Sequence, residues 1–188
     1  MKSVCGYITH TMSVYDRHKL SEYDKRILQH IYNTLEQVQI RTTLSSNSFH
    51  AEKAGAISQV GARQACFGIV RHKGAFVKSR PLKDHPEIMR LFKKFMRSHC
   101  PSFKFNSVYV NKNVVCKPHF DAGNVGKSML VGMGPYTRGR SILHIRGKQK
   151  RFHIKSHSLV FDGSLIKHES EEFKGTRYSL VFFKASTR

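Results

Sequence analysis

The hydrophobic period of this chain changes at Pro101, and that change constrains the fold more than any other feature. Before it, apolar residues recur at helical spacing. Ile27, Leu28, Ile31, Leu35 and Val38 follow Ser21-Glu22-Tyr23-Asp24, which reads as an N-cap with acids in the first turn. Ile88, Leu91, Phe92, Phe95 and Met96 follow Asp84-His85-Pro86-Glu87, where Pro86 suits the first helical position. Arg90, Lys93, Lys94 and Arg97 line the other side of that helix. After Pro101 the period is two. Phe103, Phe105, Ser107 and Tyr109 alternate, a turn is expected near Asn111-Lys112-Asn113, and Val114-Val115 follow. Runs at 129–131, 141–145, 151–154, 158–161, 165–166 and 178–183 read as further strands, with Arg146-Gly147-Lys148-Gln149 as a hairpin turn. About eight short strands after two helices predict an α+β fold with a jelly-roll barrel braced by N-terminal helices. One domain is expected over 1–188, with helical support at about 21–100 and the jelly-roll core at about 103–185. Residues 1–20 are expected to be an edge strand or a loosely docked arm.

Charge narrows the partners. Lys and Arg number 33 against 12 Asp and Glu, for a net charge of +21. Self-repulsion of that size opposes folding, so a polyanion is the expected partner, and double-stranded DNA leads. An anionic membrane competes, but no apolar run reaches about 18 residues and no amphipathic anchor stands out, so no membrane association is expected. Residues 1–10 lack the long apolar core of a signal peptide. Cys5, Cys66, Cys100 and Cys116 are widely spaced and read as reduced thiols of an intracellular monomer with access to DNA. Residues 53–83 contain no acid and are broken by glycines. They are expected to form short strands and loops on a nucleic-acid face. The acid-free hairpin at 140–155, carrying Arg140, Arg146, Lys148, Lys150 and Arg151, is expected to lie on phosphates.

The chemistry-bearing residues fall between Lys117 and Phe183. His119 and Asp121 are two apart, so on a strand they point to one side and reach one ion. His168 lies 47 residues after Asp121, far enough for strands to bring it back. Two imidazoles and one carboxylate on one face of an ion leave the other positions open, the set that suits non-haem Fe(II), an organic co-substrate and O2. Arg177 opens an apolar run and offers a bidentate fork for a carboxylate, and Ser179, two further, shares its face.

These motifs resemble the Fe(II)/2-oxoglutarate dioxygenases of the TET/JBP group, which oxidise the methyl group of 5-methylcytosine or thymine in nucleic acid. The group's His-x-Asp-x-x-Asn-x-Gly-x-Ser pattern is met by His119, Asp121, Asn124, Gly126 and Ser128. Its Gly-x-Tyr turn is approached by Gly134-Pro135-Tyr136-Thr137-Arg138-Gly139, and its last strand by Arg177-Tyr-Ser179-Leu-Val-Phe-Phe183. Arg138 replaces a turn glycine, and Ala185 stands where some members carry His. The resemblance implies a double-stranded β-helix in which His119, Asp121 and His168 bind Fe(II). It implies that Arg177 and Ser179 bind 2-oxoglutarate, so that catalysis rests on His119, Asp121, His168 and Arg177. It also implies a flipped base, with Phe183 stacking on it, Asn124 reading its edge, and Tyr136 and Arg138 nearby. Methylcytosine and thymine, and DNA and RNA, all fit. The rival readings are an AlkB-like nucleic-acid demethylase, a protein hydroxylase and a basic nucleic-acid-binding module without catalysis.

Overall fold

The computed structural model describes residues 14–38, 56–121 and 123–185. The readings of residues 1–13, among them Cys5 and the expected lack of a signal-peptide core, lie outside this range. Strand β1 (Tyr15–Lys19) leads into Ser21, where the chain switches to helix. The Ser21 hydroxyl accepts from the Asp24 N–H at 3.1 Å, and the Asp24 carboxylate accepts from the Ser21 N–H at 3.0 Å. This reciprocal box satisfies two amides that a helix start leaves bare. Helix α1 (Glu22–Gln37) then buries Ile27, Leu28, Ile31 and Leu35.

Next come β2 (Ala56–His72), β3 (Ala75–Lys78), the short helix α2 (Arg80–Asp84) and helix α3 (Pro86–His99). Then follow β4 (Ser107–Cys116), β5 (Ser128–Met133), β6 (Tyr136–Arg138) and β7 (Ser141–Ile145). The chain ends in β8 (Lys148–Phe152), β9 (His157–Phe161), β10 (His168–Ser170), β11 (Phe173–Gly175) and β12 (Tyr178–Phe183). The large sheet runs β1-β9-β5-β12-β4-β2-β3, the small one β10-β7-β8, and β11 pairs with β6. Among the described residues every strand pairing is antiparallel.

Helices α1 and α3 cover one face of the large sheet, packing on Val108, Val110, Val131, Leu180 and Phe182. Phe92 meets Phe67 and Phe182 edge to face at 5.7 and 5.9 Å, and Phe95 stacks on Phe182 at 5.7 Å. A second cluster of Leu130, Leu143, Phe152, Ile154, Leu159 and Phe161 joins the large sheet to the small one. The jelly-roll expectation holds, and the helical stripes pack as read.

Three local expectations fail. The acid-free segment 53–83 is not short strands and loops, since β2 is a 17-residue strand paired with β4. So the region before residue 100 adds three strands, β1, β2 and β3, to the sheet and is not helical support alone. Gly68 does not break β2. It has φ +141, and a Cβ there would lie 2.6 Å from Ser107 Oγ, so glycine marks a close approach of two strands. The expected turn at 111–113 is absent as well. Asn113 takes φ 53, which asparagine tolerates, so β4 bends there without ending. Its N–H donates to the Arg177 carbonyl at 2.8 Å, and its Oδ1 accepts from the Arg177 N–H at 3.0 Å. Finally, Leu165 and Ile166 are a turn and not a strand. Both donate N–H to the Asp162 carbonyl, and Asp162 Oδ1 accepts from the Ser164 N–H and hydroxyl at 3.0 and 2.6 Å. That local network outcompetes the strand preference of two apolar residues.

Candidate metal centre and carboxylate pocket

His119 and His168 are brought together by the backbone. They form an isolated antiparallel bridge, each N–H donating to the other's carbonyl at 2.9 and 3.0 Å. Asp121 donates its N–H to the Gly163 carbonyl at 2.8 Å, which fixes the third side chain on the same loop pair. His119 Nε2 lies 3.6 Å from Asp121 Oδ1, and His168 Nε2 lies 3.6 Å from Asp121 Oδ2. One ligand atom from each residue falls within 4.8 Å of the others. Neighbouring ligand atoms of an octahedral ion about 2.1 Å away would stand roughly 3 Å apart, so a small contraction suffices.

Two further observations fit a metal. His119 Nδ1 bonds to the Lys117 carbonyl at 2.6 Å, and His168 Nδ1 to the Ile166 carbonyl at 2.9 Å. A carbonyl can only accept, so each Nδ1 carries the proton and each Nε2 keeps its lone pair. The carboxylate is also cradled. A Cβ on Gly163 would lie 2.6 Å from Asp121 Oδ2, so only glycine leaves it room. Burial would raise the Asp121 carboxyl, but His119 beside it and the His168 charge hold it below its usual value. Desolvation lowers His168, the direction that favours a metal ligand. In His119 the same burial is outweighed by Asp121 and the Lys117 carbonyl, which raise it.

Asn124 has a different place from the one the motif implies. Its side-chain N–H groups donate to Asp121 Oδ2 and Ser128 Oγ, both at 3.0 Å. Those donors hold the carboxylate, so Asn124 orients a metal ligand and has no N–H left for a base edge.

Arg177 is 2% exposed. Its guanidinium lies 5.6 Å from the Tyr136 ring centre and 5.5 Å from that of Phe173, and Nε donates to the Gly139 carbonyl at 3.2 Å. No ion pair among the described residues includes Arg177. A buried cation without an anion is costly, and an anionic ligand would offset that cost here. Desolvation lowers its pKa from the ordinary arginine value. Ser179, buried on the same strand, accepts from Asn111 Nδ2 at 3.4 Å, and Gln64 Nε2 donates to Asn111 Oδ1 at 2.7 Å. The order of donors leaves the Ser179 O–H free to donate to a carboxylate. The Cys116 thiol lies between the two halves of the site. Burial pushes it up, Arg177 pulls it down and Asp121 raises it.

Of the expected substrate contacts, Tyr136 is buried and packs under Arg177, so it shapes the carboxylate pocket. Arg138 is exposed at φ 63 and lines a cavity of about 220 Å³ with His153 and Lys155. Phe183 is 5% exposed and stacks at 5.5 Å and 13° on Tyr109, which is 39% exposed. Desolvation, with Cys66 and Asp121 nearby, pushes the Tyr109 hydroxyl up to about 12. The exposed ring of the stack is therefore Tyr109, which the motif did not reveal. The signal was the period of two, for Val108 and Val110 face the helices and Tyr109 and Asn111 must face the other way.

No protein-family model matches the sequence, and comparison with curated proteins gives no match. Solved structures do resemble it. NgTET1 in complex with 5mC DNA aligns over 93% of this chain and 73% of its own, with TM-score 0.61 and 12% identity. A Pseudomonas putida prolyl-4-hydroxylase aligns over 93% and 94%, with TM-score 0.54 and 11% identity. A Trichoplax adhaerens prolyl hydroxylase, in complex with a hypoxia inducible factor peptide fragment, aligns over 92% and 84%, with TM-score 0.53 and 14% identity. With strand order, helix-covered face and interior triad in hand, the protein has the double-stranded β-helix fold of the 2-oxoglutarate–Fe(II) oxygenases.

Proposed function

We propose that this protein is an Fe(II)/2-oxoglutarate-dependent dioxygenase that oxidises the methyl group of a 5-methylpyrimidine, 5-methylcytosine or thymine, in DNA after flipping the base out. The observation that carries the reading is a 2-His-1-carboxylate cluster in the same sandwich as a buried guanidinium that has no acid to pair with. His119, Asp121 and His168 would hold Fe(II), which with 2-oxoglutarate and O2 supplies the oxidant for a C–H bond. Arg177 grips the distal carboxylate of 2-oxoglutarate, and the Ser179 hydroxyl donates a third hydrogen bond to it. Asn111, steadied by Gln64, keeps that hydroxyl turned outward. Asn124 and Gly163 hold Asp121 in place. The Tyr109–Phe183 stack offers an aromatic face for the extruded base.

Charge favours nucleic acid over a polypeptide substrate, because +21 on 188 residues needs a polyanion to offset it. The test is nucleoside mass spectrometry of methylated duplex DNA incubated with the protein, Fe(II), 2-oxoglutarate and O2. Hydroxymethylcytosine or hydroxymethyluracil is expected, with stoichiometric succinate, and Asp121→Ala should yield neither. Released formaldehyde without a retained oxygen would move the assignment to demethylation. Succinate formed only with a peptide substrate would move it to protein hydroxylation.

A further inference from the structure

The large hydrophobics left exposed among the described residues are Val14, Tyr23, Tyr109, Phe120, Val125 and Leu165. Four of the six lie on segments that carry or adjoin the metal ligands. Phe120, 52% exposed, sits between the ligands His119 and Asp121. Leu165, 75% exposed, caps the turn whose Gly163 carbonyl takes the Asp121 N–H. Val125, 47% exposed, donates its N–H to the carbonyl of Lys184, next to Phe183. Tyr109 covers Phe183. Burying these rings and aliphatic chains elsewhere would have been favourable, and a rim of them around a polar site marks a contact surface.

The rim is framed by cations. Lys117, Lys167 and Lys184 are all exposed; the first two lie within two residues of a metal ligand, and the carbonyl of the third takes the Val125 N–H. A surface with apolar tips inside a cationic frame complements stacked bases between phosphate strands. A polypeptide needs the apolar tips but not the frame, and a membrane needs a broader apolar face.

Resting on the dioxygenase reading above, we propose that Leu165 and Phe120 form a wedge. It enters the base stack of a duplex and fills the gap left by the flipped nucleotide, while Lys117 and Lys167 hold the flanking phosphates. The backbone supports this division of labour. The two loops carrying the wedge are tied by the His119–His168 bridge and the Asp121–Gly163 bond, so wedge and metal ligands move as one unit. The wedge therefore opens the duplex at a fixed offset from the reacting centre.

A single strand needs no wedge, so the test compares substrates. Turnover of one 5-methylcytosine is measured in a paired duplex and in the same single strand, for the wild type, Leu165→Ala and Phe120→Ala. In parallel, 2-aminopurine beside the target reports unstacking on binding, with no turnover required. Leu165→Ala should lower the duplex-to-single-strand ratio of kcat/KM about tenfold, the worth of one apolar side chain, and reduce the 2-aminopurine rise. Phe120→Ala should do the same. Both side chains are exposed, so the variants are expected to fold, and circular dichroism checks this. An unchanged ratio and an unchanged fluorescence rise would overturn the wedge while leaving the dioxygenase reading standing. A wild type inactive on both substrates and unable to unstack DNA would overturn both. An unchanged ratio with lost self-association in sedimentation would overturn the wedge and give the rim to a second copy of the chain.

Discussion

At the scale of single residues, the site is a set of groups whose neighbours leave them one job each. Arg177 is the clearest case. It is buried and uncompensated, so it costs stability until an anion arrives. Arg177→Met should therefore raise the Tm of the protein without 2-oxoglutarate and remove the further rise that 2-oxoglutarate causes, both read by scanning fluorimetry. Losing a charge-assisted pair should weaken 2-oxoglutarate binding by at least about tenfold. Gly163 is the second case. The added Cβ of Gly163→Ala must displace Asp121 Oδ2, 2.6 Å away. Metal affinity should fall by about 10–100-fold, as when an outer partner of a ligand is lost. A metal titration followed by intrinsic fluorescence would measure it, and unchanged affinity would mean that the carboxylate can move aside freely.

At the scale of elements, one buried polar network joins the helices to the sheet. Asp24, 3% exposed, accepts from Ser98 Oγ at 2.7 Å and pairs with His99 Nδ1 at 3.1 Å, while His99 Nε2 contacts Ser158 Oγ at 2.7 Å. The Ser-His-Asp order suggests a hydrolase, but Ser158 is fully buried and no substrate can reach it. The network instead ties α1, α3 and β9 together. Burial would raise the Asp24 carboxyl, yet the Ser98, Ser21 and His99 hydrogen bonds hold it below its usual value. A depressed carboxyl stabilises the fold above its unfolded value near 4, and that contribution is lost as pH falls through the lower folded value. Urea melts should show wild-type stability dropping below about pH 4, with Asp24→Asn less stable at pH 7 but flatter across that range. Asp24→Ala should cost about 2–3 kcal/mol at neutral pH, because it removes the carboxylate half of the capping box and strands the buried His99 side chain.

At the scale of the whole molecule, the charge is less free than the count suggests. Arg140 is forked onto Glu171 at 2.7 and 3.0 Å, and Lys127 pairs with Asp16 at 2.8 Å. Lys150 lies over Tyr15 and Arg17 over Phe152. The 140–155 hairpin thus spends Arg140 within the fold, while exposed Arg146 and Lys148 remain for phosphate. Enough cations stay exposed that the free protein should gain Tm as salt rises from about 10 to 150 mM, where the screening length falls from about 30 to 8 Å. DNA affinity should move the other way, with a log–log slope near −0.9 per phosphate neutralised. A flat response of both quantities would remove the polyanion argument.

The helices and the barrel strands could be read from the chain because each depends on local order. An apolar stripe, a cap and a His-x-Asp spacing are written within a few residues of one another. What needed the folded molecule were facts about who sits beside whom. Gly68 read as a break and is a strand contact; Asn113 read as a turn and is a bend that grips Arg177. Asn124 was assigned to a base and is bonded to Asp121, and Tyr109 read as one more residue of an alternating strand and stacks on Phe183. Some such pairings join positions far apart in the chain, as Asp24 and Ser98, 74 residues apart, do. Chain proximity carries no record of them, because they exist only once two sheets close around a shared interior.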